Sequence, residues 1–146
     1  MFKKLTLAVA ALALGTVVAL AGKPIQFSQL PAKAQTFVNT HYSKDKVVKV
    51  EKDREVFGDK YDVDFQSGAE VEFDSEGNWI EVKAAHGFKV PSAILPKAIS
   101  DYIARNHEGL DLREIQKKRD GYEIELSNGH EYRISADAKS VRRHHD

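Results

Sequence analysis

The chain contains no cysteine, which excludes disulfides, thiolate nucleophiles, iron–sulfur clusters, cysteine-ligated zinc and the lipid-bearing cysteine of an exported lipoprotein. Net charge is missing too. With 22 Lys+Arg against 22 Asp+Glu, no long-range field concentrates nucleic acid or an anionic membrane. No glycine-rich phosphate loop occurs, and no serine sits in a Gly-x-Ser-x-Gly context, so nucleotide binding and nucleophile-elbow hydrolysis have no support. What remains is 146 residues, 42% of them hydrophobic, a composition that fits one folded domain held by packing.

Met1-Phe2-Lys3-Lys4 is followed by an apolar stretch from Leu5 to Leu20 and by small residues at Ala19 and Ala21. This order of basic start, apolar centre and small-residue site predicts a secretory signal peptide over residues 1–21, cleaved after Ala21. The stretch is shorter than the roughly 20 residues that span a bilayer, and Gly22-Lys23-Pro24 is no stop-transfer flank. A periplasmic or secreted protein with no membrane span after cleavage is the expectation.

The mature chain repeats itself. Leu30-Pro31 followed by Ala34, Phe37 and Val38 matches Leu95-Pro96 followed by Ile99, Tyr102 and Ile103. The i, i+3, i+4 spacing predicts two short helices, over Pro31–Tyr42 and Pro96–His107, with proline marking each start. Downstream, Lys60-Tyr61-Asp62-Val63-Asp64-Phe65-Gln66-Ser67-Gly68 aligns without a gap on Gly121-Tyr122-Glu123-Ile124-Glu125-Leu126-Ser127-Asn128-Gly129. Alternation of apolar and acidic residues predicts strands with one buried face and one carboxylate face, and the glycines predict hairpin turns. Further strands are expected at Lys46–Lys52, Asp111–Lys117, Trp79–Lys83 and Ser140–His144. The order is αββββ twice, with repeats at about 28–85 and 91–144. The first carries about four extra residues around Glu55 to Gly58, expected in a loop. Units of about 60 residues rarely hold a robust core alone, so one continuous antiparallel sheet with both helices on one face is expected, an α+β fold.

The Leu-Pro helix openings, the paired Tyr-acid-apolar-acid-apolar-x-x-Gly strands and the Phe73-Asp74-Ser75-Glu76-Gly77-Asn78-Trp79 turn together resemble the β-lactamase-inhibitor-like, PepSY-like family of exported bacterial proteins. The resemblance covers nearly all of the mature chain. It implies a curved sheet like that of β-lactamase-inhibitory protein, no known enzyme activity, and protein binding as the role. This chain is shorter than the true inhibitor and lacks its disulfides, so the resemblance does not extend to β-lactamase as target.

Alternation assigns Asp62, Asp64, Glu70, Glu72, Glu123, Glu125 and Glu131 to the open face. They form a candidate docking surface for an envelope or secreted protein, with Lys49, Lys83 and Arg133 as cross-strand partners; the same rows suit a solvated face, or a cation-binding sensor. If Ile80 and Val82 point inward, Trp79 and Glu81 join that surface. A one-residue shift, or a bulge at Gly77-Asn78, would instead bury the indole. Tyr61 and Tyr122 lie in the apolar phase. His41, His86, His107 and His130 have no metal-ligand spacing, His144-His145-Asp146 is a terminal tail, and Asp74–Asn78 lacks the ligand pattern of an EF-hand. No catalytic residue, metal or cofactor is implied.

Overall fold

The computed structural model describes residues 22–144; the predicted signal segment and the last two residues lie outside them. A two-residue edge strand, β1 (Lys23–Pro24), leads through a 3-10 turn at Phe27–Gln29 into helix α1 (Ala32–His41). Four strands follow: β2 (Val47–Glu55), β3 (Gly58–Phe65), β4 (Glu70–Phe73) and β5 (Trp79–Lys83). A second 3-10 turn, Ser92–Ile94, and helix α2 (Lys97–Asn106) open the second unit. Its strands are β6 (Leu112–Lys118), β7 (Gly121–Leu126), β8 (Glu131–Ser135) and β9 (Val141–Arg143). All nine strands join one antiparallel sheet in chain order, so the repeated αββββ unit and the single sheet are both present.

Each helix starts where proline says it must. Pro31 and Pro96 occupy the position just before the first helical residue, and their carbonyls accept the N–H of Ala34 and Gln35, and of Ile99 and Ser100. A missing proline N–H costs nothing there. Ala34 and Val38 of α1, and Ile99 and Ile103 of α2, are the buried stripe of each helix. They lie in one hydrophobic core with the inward strand residues. Across the sheet, Val50, Val63, Val71, Val82, Ile115 and Ile124 stand directly opposite one another on six consecutive strands. The junction between units, Val82 against Ile115, is as buried as any other part of this ladder. The two units therefore share a core rather than touching at a linker.

Two details depart from the sequence reading. Strand β1 was not expected: its residues carry no alternation, and it pairs only at Lys23 with Lys52 and Pro24 with Glu51. The extra residues of the first unit do not form a loop. They lengthen the β2–β3 hairpin, whose strands stay paired out to Glu55 and Gly58, leaving Val56-Phe57 as the turn.

Two substitutions test this packing by urea denaturation. Phe73 is fully buried and its ring meets Phe37 of α1 edge-on at 5.3 Å, so Phe73→Ala is expected to cost about 3–5 kcal/mol. Gly121 has φ +151°, and a Cβ there would collide with the Ile134 carbonyl oxygen. Gly121→Ala is expected to cost about 1–3 kcal/mol. Losses well under 1 kcal/mol in both would contradict the shared core and its register.

Candidate functional site

The helices cover one face of the sheet and leave the other open, and strand alternation sends the charged residues to the open side. Read across the strands, one row runs Glu51, Asp62, Glu72, Glu81, Gln116, Glu123, Arg133, Arg142. A neighbouring row runs Lys49, Asp64, Glu70, Lys83, Glu114, Glu125, Glu131. Directly opposed residues have Cβ atoms about 4.5–5.5 Å apart, and like charges in that position repel. The first row thus places four carboxyls in succession, from Glu51 to Glu81, with no cation between them in the row.

Asp62, Asp64, Glu70, Glu72 and Glu81, with Glu51, Lys49 and Lys83, line a trough of about 230 Å³. A second trough of about 140 Å³, lined by Glu114, Gln116, Glu123, Glu125 and Glu131, lies on the other unit. Cations reach the first trough from its rim: Lys49 meets Glu51 at 2.9 Å, Lys60 meets Glu72 at 3.2 Å, and Lys83 stands 3.8 Å from Glu81 and 3.9 Å from Glu70. They do not neutralise it. Burial, a hydrogen bond to Asp53 and the charges of Glu72, Asp53 and Asp64 push the Asp62 carboxyl up to about 8. Burial, then a hydrogen bond to Glu81, push Glu114 up to about 7. Glu72 also lies above the ordinary range, through burial, although Lys60 pulls it back. The far end of the face behaves differently. Glu123 meets Lys118 at 2.9 Å and His144 at 3.3 Å, and its carboxyl is held below the ordinary range, chiefly by the Lys118 hydrogen bond. Beyond it the row changes sign at Arg133 and Arg142. The face is acidic over β2–β7 and basic at β8–β9, with its poorly compensated carboxyls centred on the first unit and the junction.

The seven carboxylates assigned from alternation, with Glu81, are brought together on the open face. Trp79 is not among them. A bulge at Ile80 puts Trp79 opposite Phe73 while Glu81 stays opposite Glu72, so the indole lies on the helix-bearing side. There it packs half-buried against Tyr122, ring centroids 6.3 Å apart, with the Lys117 ammonium 4.2 Å from its ring centre. Tyr61 is buried on the same side and Tyr122 is partly buried. Glu51, Asp53 and Glu114 belong to the site and were missed. A bulge at Arg113 interrupts the alternation of β6 and hid the phase of Glu114, whereas Glu51 and Asp53 follow Lys49 in unbroken alternation along β2 and were legible from it.

The chain is thus an open antiparallel sheet of two tandem units, with helices on one side and a carboxylate surface on the other. The sequence matches the family described as "Putative beta-lactamase-inhibitor-like, PepSY-like" over residues 17–58 and 59–140, and the chain belongs to it. Similar solved structures come from Bacteroides. One, from Bacteroides thetaiotaomicron and described as a "putative calcium-regulated periplasmic protein", is 35% identical with a TM-score of 0.76 over 82% of this chain and 95% of its own. Another, from Bacteroides vulgatus and described as a "putative periplasmic protein", is 36% identical, with a TM-score of 0.79 over 84% and 96% of the two chains. A second from that organism, of unknown function, is 31% identical with a TM-score of 0.76 over 82% and 95%. No functionally curated protein matches the sequence. None of these descriptions names an enzyme. Among the described residues no helix is long and apolar enough to cross a membrane.

The raised carboxyls set a pH dependence. A group that binds its proton more tightly in the folded chain than in the unfolded one makes stability fall as pH rises from its unfolded value to its folded one. For Asp62 that window runs from about 4 to about 8. Asp62→Asn and Glu114→Gln are therefore expected to raise the melting temperature at pH 8 by a few degrees, about 1 kcal/mol each after solvent screening. At pH 4 they should leave it unchanged. Equal effects at both pH values, or destabilisation at pH 8, would contradict the electrostatic reading.

Proposed function

We propose that this protein is an exported, non-catalytic binding module whose carboxylate face docks a basic segment of a protein in the envelope or outside the cell. The supporting observation is the unbroken succession Glu51, Asp62, Glu72, Glu81 on four adjacent strands. Nothing in folding needs it, and it weakens the sheet it sits on. Lysine or arginine side chains laid into the trough would remove that cost at the moment of binding, and the basic edge at Arg133 and Arg142 would orient the partner. A partner with its basic patch over β2–β5 and acidic groups over β8–β9 fits the charge order. The mechanism available to such a scaffold is steric occlusion, and an envelope enzyme such as a peptidase is a partner class it suits, as the inhibitor-like family description also suggests.

The description of the Bacteroides thetaiotaomicron relative as calcium-regulated supports a second reading, a divalent cation as ligand. Calcium takes 6–8 converging oxygens. The carboxyls here are spread along a row at strand spacing, about 4.8 Å, and among the described residues no three acidic or histidine side chains converge on one point. The row suits an extended polycation better than a single ion.

Calorimetric titration with an oligolysine peptide and with calcium chloride, at pH 7 in two buffers of different ionisation enthalpy, separates the two readings. Oligolysine is expected to bind with release of protons, because it returns Asp62 and Glu114 to their ionised forms, and the double variant Glu72→Gln/Glu81→Gln should weaken it at least tenfold. Tight calcium binding that oligolysine does not compete with would overturn the protein-docking reading in favour of a cation sensor. No binding of either would remove the face as a site.

A further inference from the structure

The two helices end on counterpart residues in different states. Tyr42 closes α1 and His107 closes α2; three residues on, the N–H of Asp45 bonds the Tyr42 carbonyl as the N–H of Leu110 bonds that of His107. In the second unit this corner is satisfied. The His107 ring packs on both Tyr102 and Tyr132, its Nε2 lies 3.4 Å from the Tyr102 hydroxyl, and Leu110 packs against the core. In the first unit it is not. Tyr42 is 9% exposed and its ring stacks on Phe65 at 4.5 Å, but its buried hydroxyl has no hydrogen-bond partner among the described residues. Phenylalanine would fill the same space without leaving a donor unpaired, so packing does not account for the hydroxyl. Asp45 is near enough for its charge to join burial, the larger cause, in pushing the phenol up to about 12. Its own oxygens are occupied by the Ser67 N–H at 3.3 Å and by the Ser67 hydroxyl. The phenol therefore keeps its proton and is a donor without an acceptor.

Tyr42 and Asp45 line a cavity of about 520 Å³, a size that holds a small molecule. Its other walls are the β3–β4 turn and the connection from β5 to α2, which supply Ser67, Ala69, Ala84, Ala85, Phe88 and Pro91. The connection is pinned on both sides of Phe88. The Phe88 N–H bonds the Ala85 carbonyl and the Val90 N–H bonds the Leu112 carbonyl, with Ala85 and Val90 themselves buried. Phe88 is held 67% exposed between them. Lys44 and Lys89 also line the cavity, and neither is ion-paired among the described residues. The lining thus combines an apolar wall, an unpartnered hydroxyl donor, and two unpaired ammonium groups against one carboxyl that Ser67 already holds.

We propose that this cavity binds a small amphipathic carboxylate. The apolar body lies on the three alanines, Phe88 and Pro91, and the carboxylate accepts the Tyr42 hydrogen bond beside Lys44 and Lys89. A neutral apolar ligand would leave the hydroxyl and both lysines unused, and an organic cation would meet the lysines as like charges. The cavity shares no lining residue with either carboxylate trough, so this site does not depend on the docking face.

The test uses three probes with one apolar body, octanoate, octanol and octylamine, each titrated into the purified protein at pH 8 and followed by amide NMR. Octanoate is expected to shift the amides of Ala69, Ala84, Ala85 and Phe88 saturably and to bind at least tenfold more tightly than octanol, while octylamine leaves those amides unmoved. Tyr42→Phe is expected to weaken octanoate about fivefold, the share of one hydrogen bond, without lowering the melting temperature. Lys44→Gln/Lys89→Gln should weaken it at least tenfold, and Glu72→Gln/Glu81→Gln should leave it unchanged. Octanoate that does not move these amides, or that binds no more tightly than octanol, overturns the proposal. So does undiminished binding by Tyr42→Phe or by the lysine variant. Octylamine binding most tightly at these amides would also overturn it, giving the cavity to a cation through Asp45.

Discussion

Six residues fix the arrangement of everything else. Val50, Val63, Val71, Val82, Ile115 and Ile124 form a continuous apolar ladder across β2–β7, and the helices bury it with Ala34, Val38, Ile99 and Ile103. Side chains alternate across a strand, so fixing this ladder on one face places the residues beside it in sequence on the other. The carboxylate rows are the reverse side of the core. No strand can slip by one residue to separate Asp62 from Glu72, because the same slip would drive Val63 and Val71 into water. The electrostatic cost of the open face is thereby imposed by the hydrophobic gain of the buried one.

This coupling explains what was legible in the sequence. Where alternation is strict, as through Tyr61–Phe65 and Tyr122–Leu126, burial and charge could be assigned residue by residue, and the repeat doubled the signal. It failed at bulges. An extra residue at Val48, Ile80 or Arg113 reverses the phase on one side of it, and nothing in its chemistry marks it beforehand. Trp79 moved to the helix side for that reason, and Glu114 stayed hidden for it, whereas Glu51 and Asp53 alternate with Lys49 and could have been assigned from it. The edge strand at Lys23–Pro24 was illegible for another reason: two residues are too few to show a period. Which of the acidic rows is poorly compensated was not legible at all. It depends on the exact register of successive strands and on where long side chains reach, Lys118 and His144 converging on Glu123 while the stretch from Glu51 to Glu81 is left to cations at its rim.

The two units have diverged within one scaffold. The first holds the long carboxylate succession and the extended, apolar-tipped hairpin; the second holds the shorter hairpin, the polar turn and the basic edge. Their shared core keeps these features in fixed relation. Rigidity of this kind costs no loop ordering on binding. It also means that charge on the open face is set against a sheet that cannot relax to relieve it.

The account stands most directly on the protonation of two side chains. Carbon-13 NMR titration of the Asp62 and Glu114 carboxyls reads it without reference to stability or binding. Midpoints near 8 and 7, both falling toward the ordinary carboxylate range when oligolysine is added, are the expected result. Midpoints near 4 for both in the free protein would mean that the face is well solvated, and that no unmet demand for positive charge exists for a partner to satisfy.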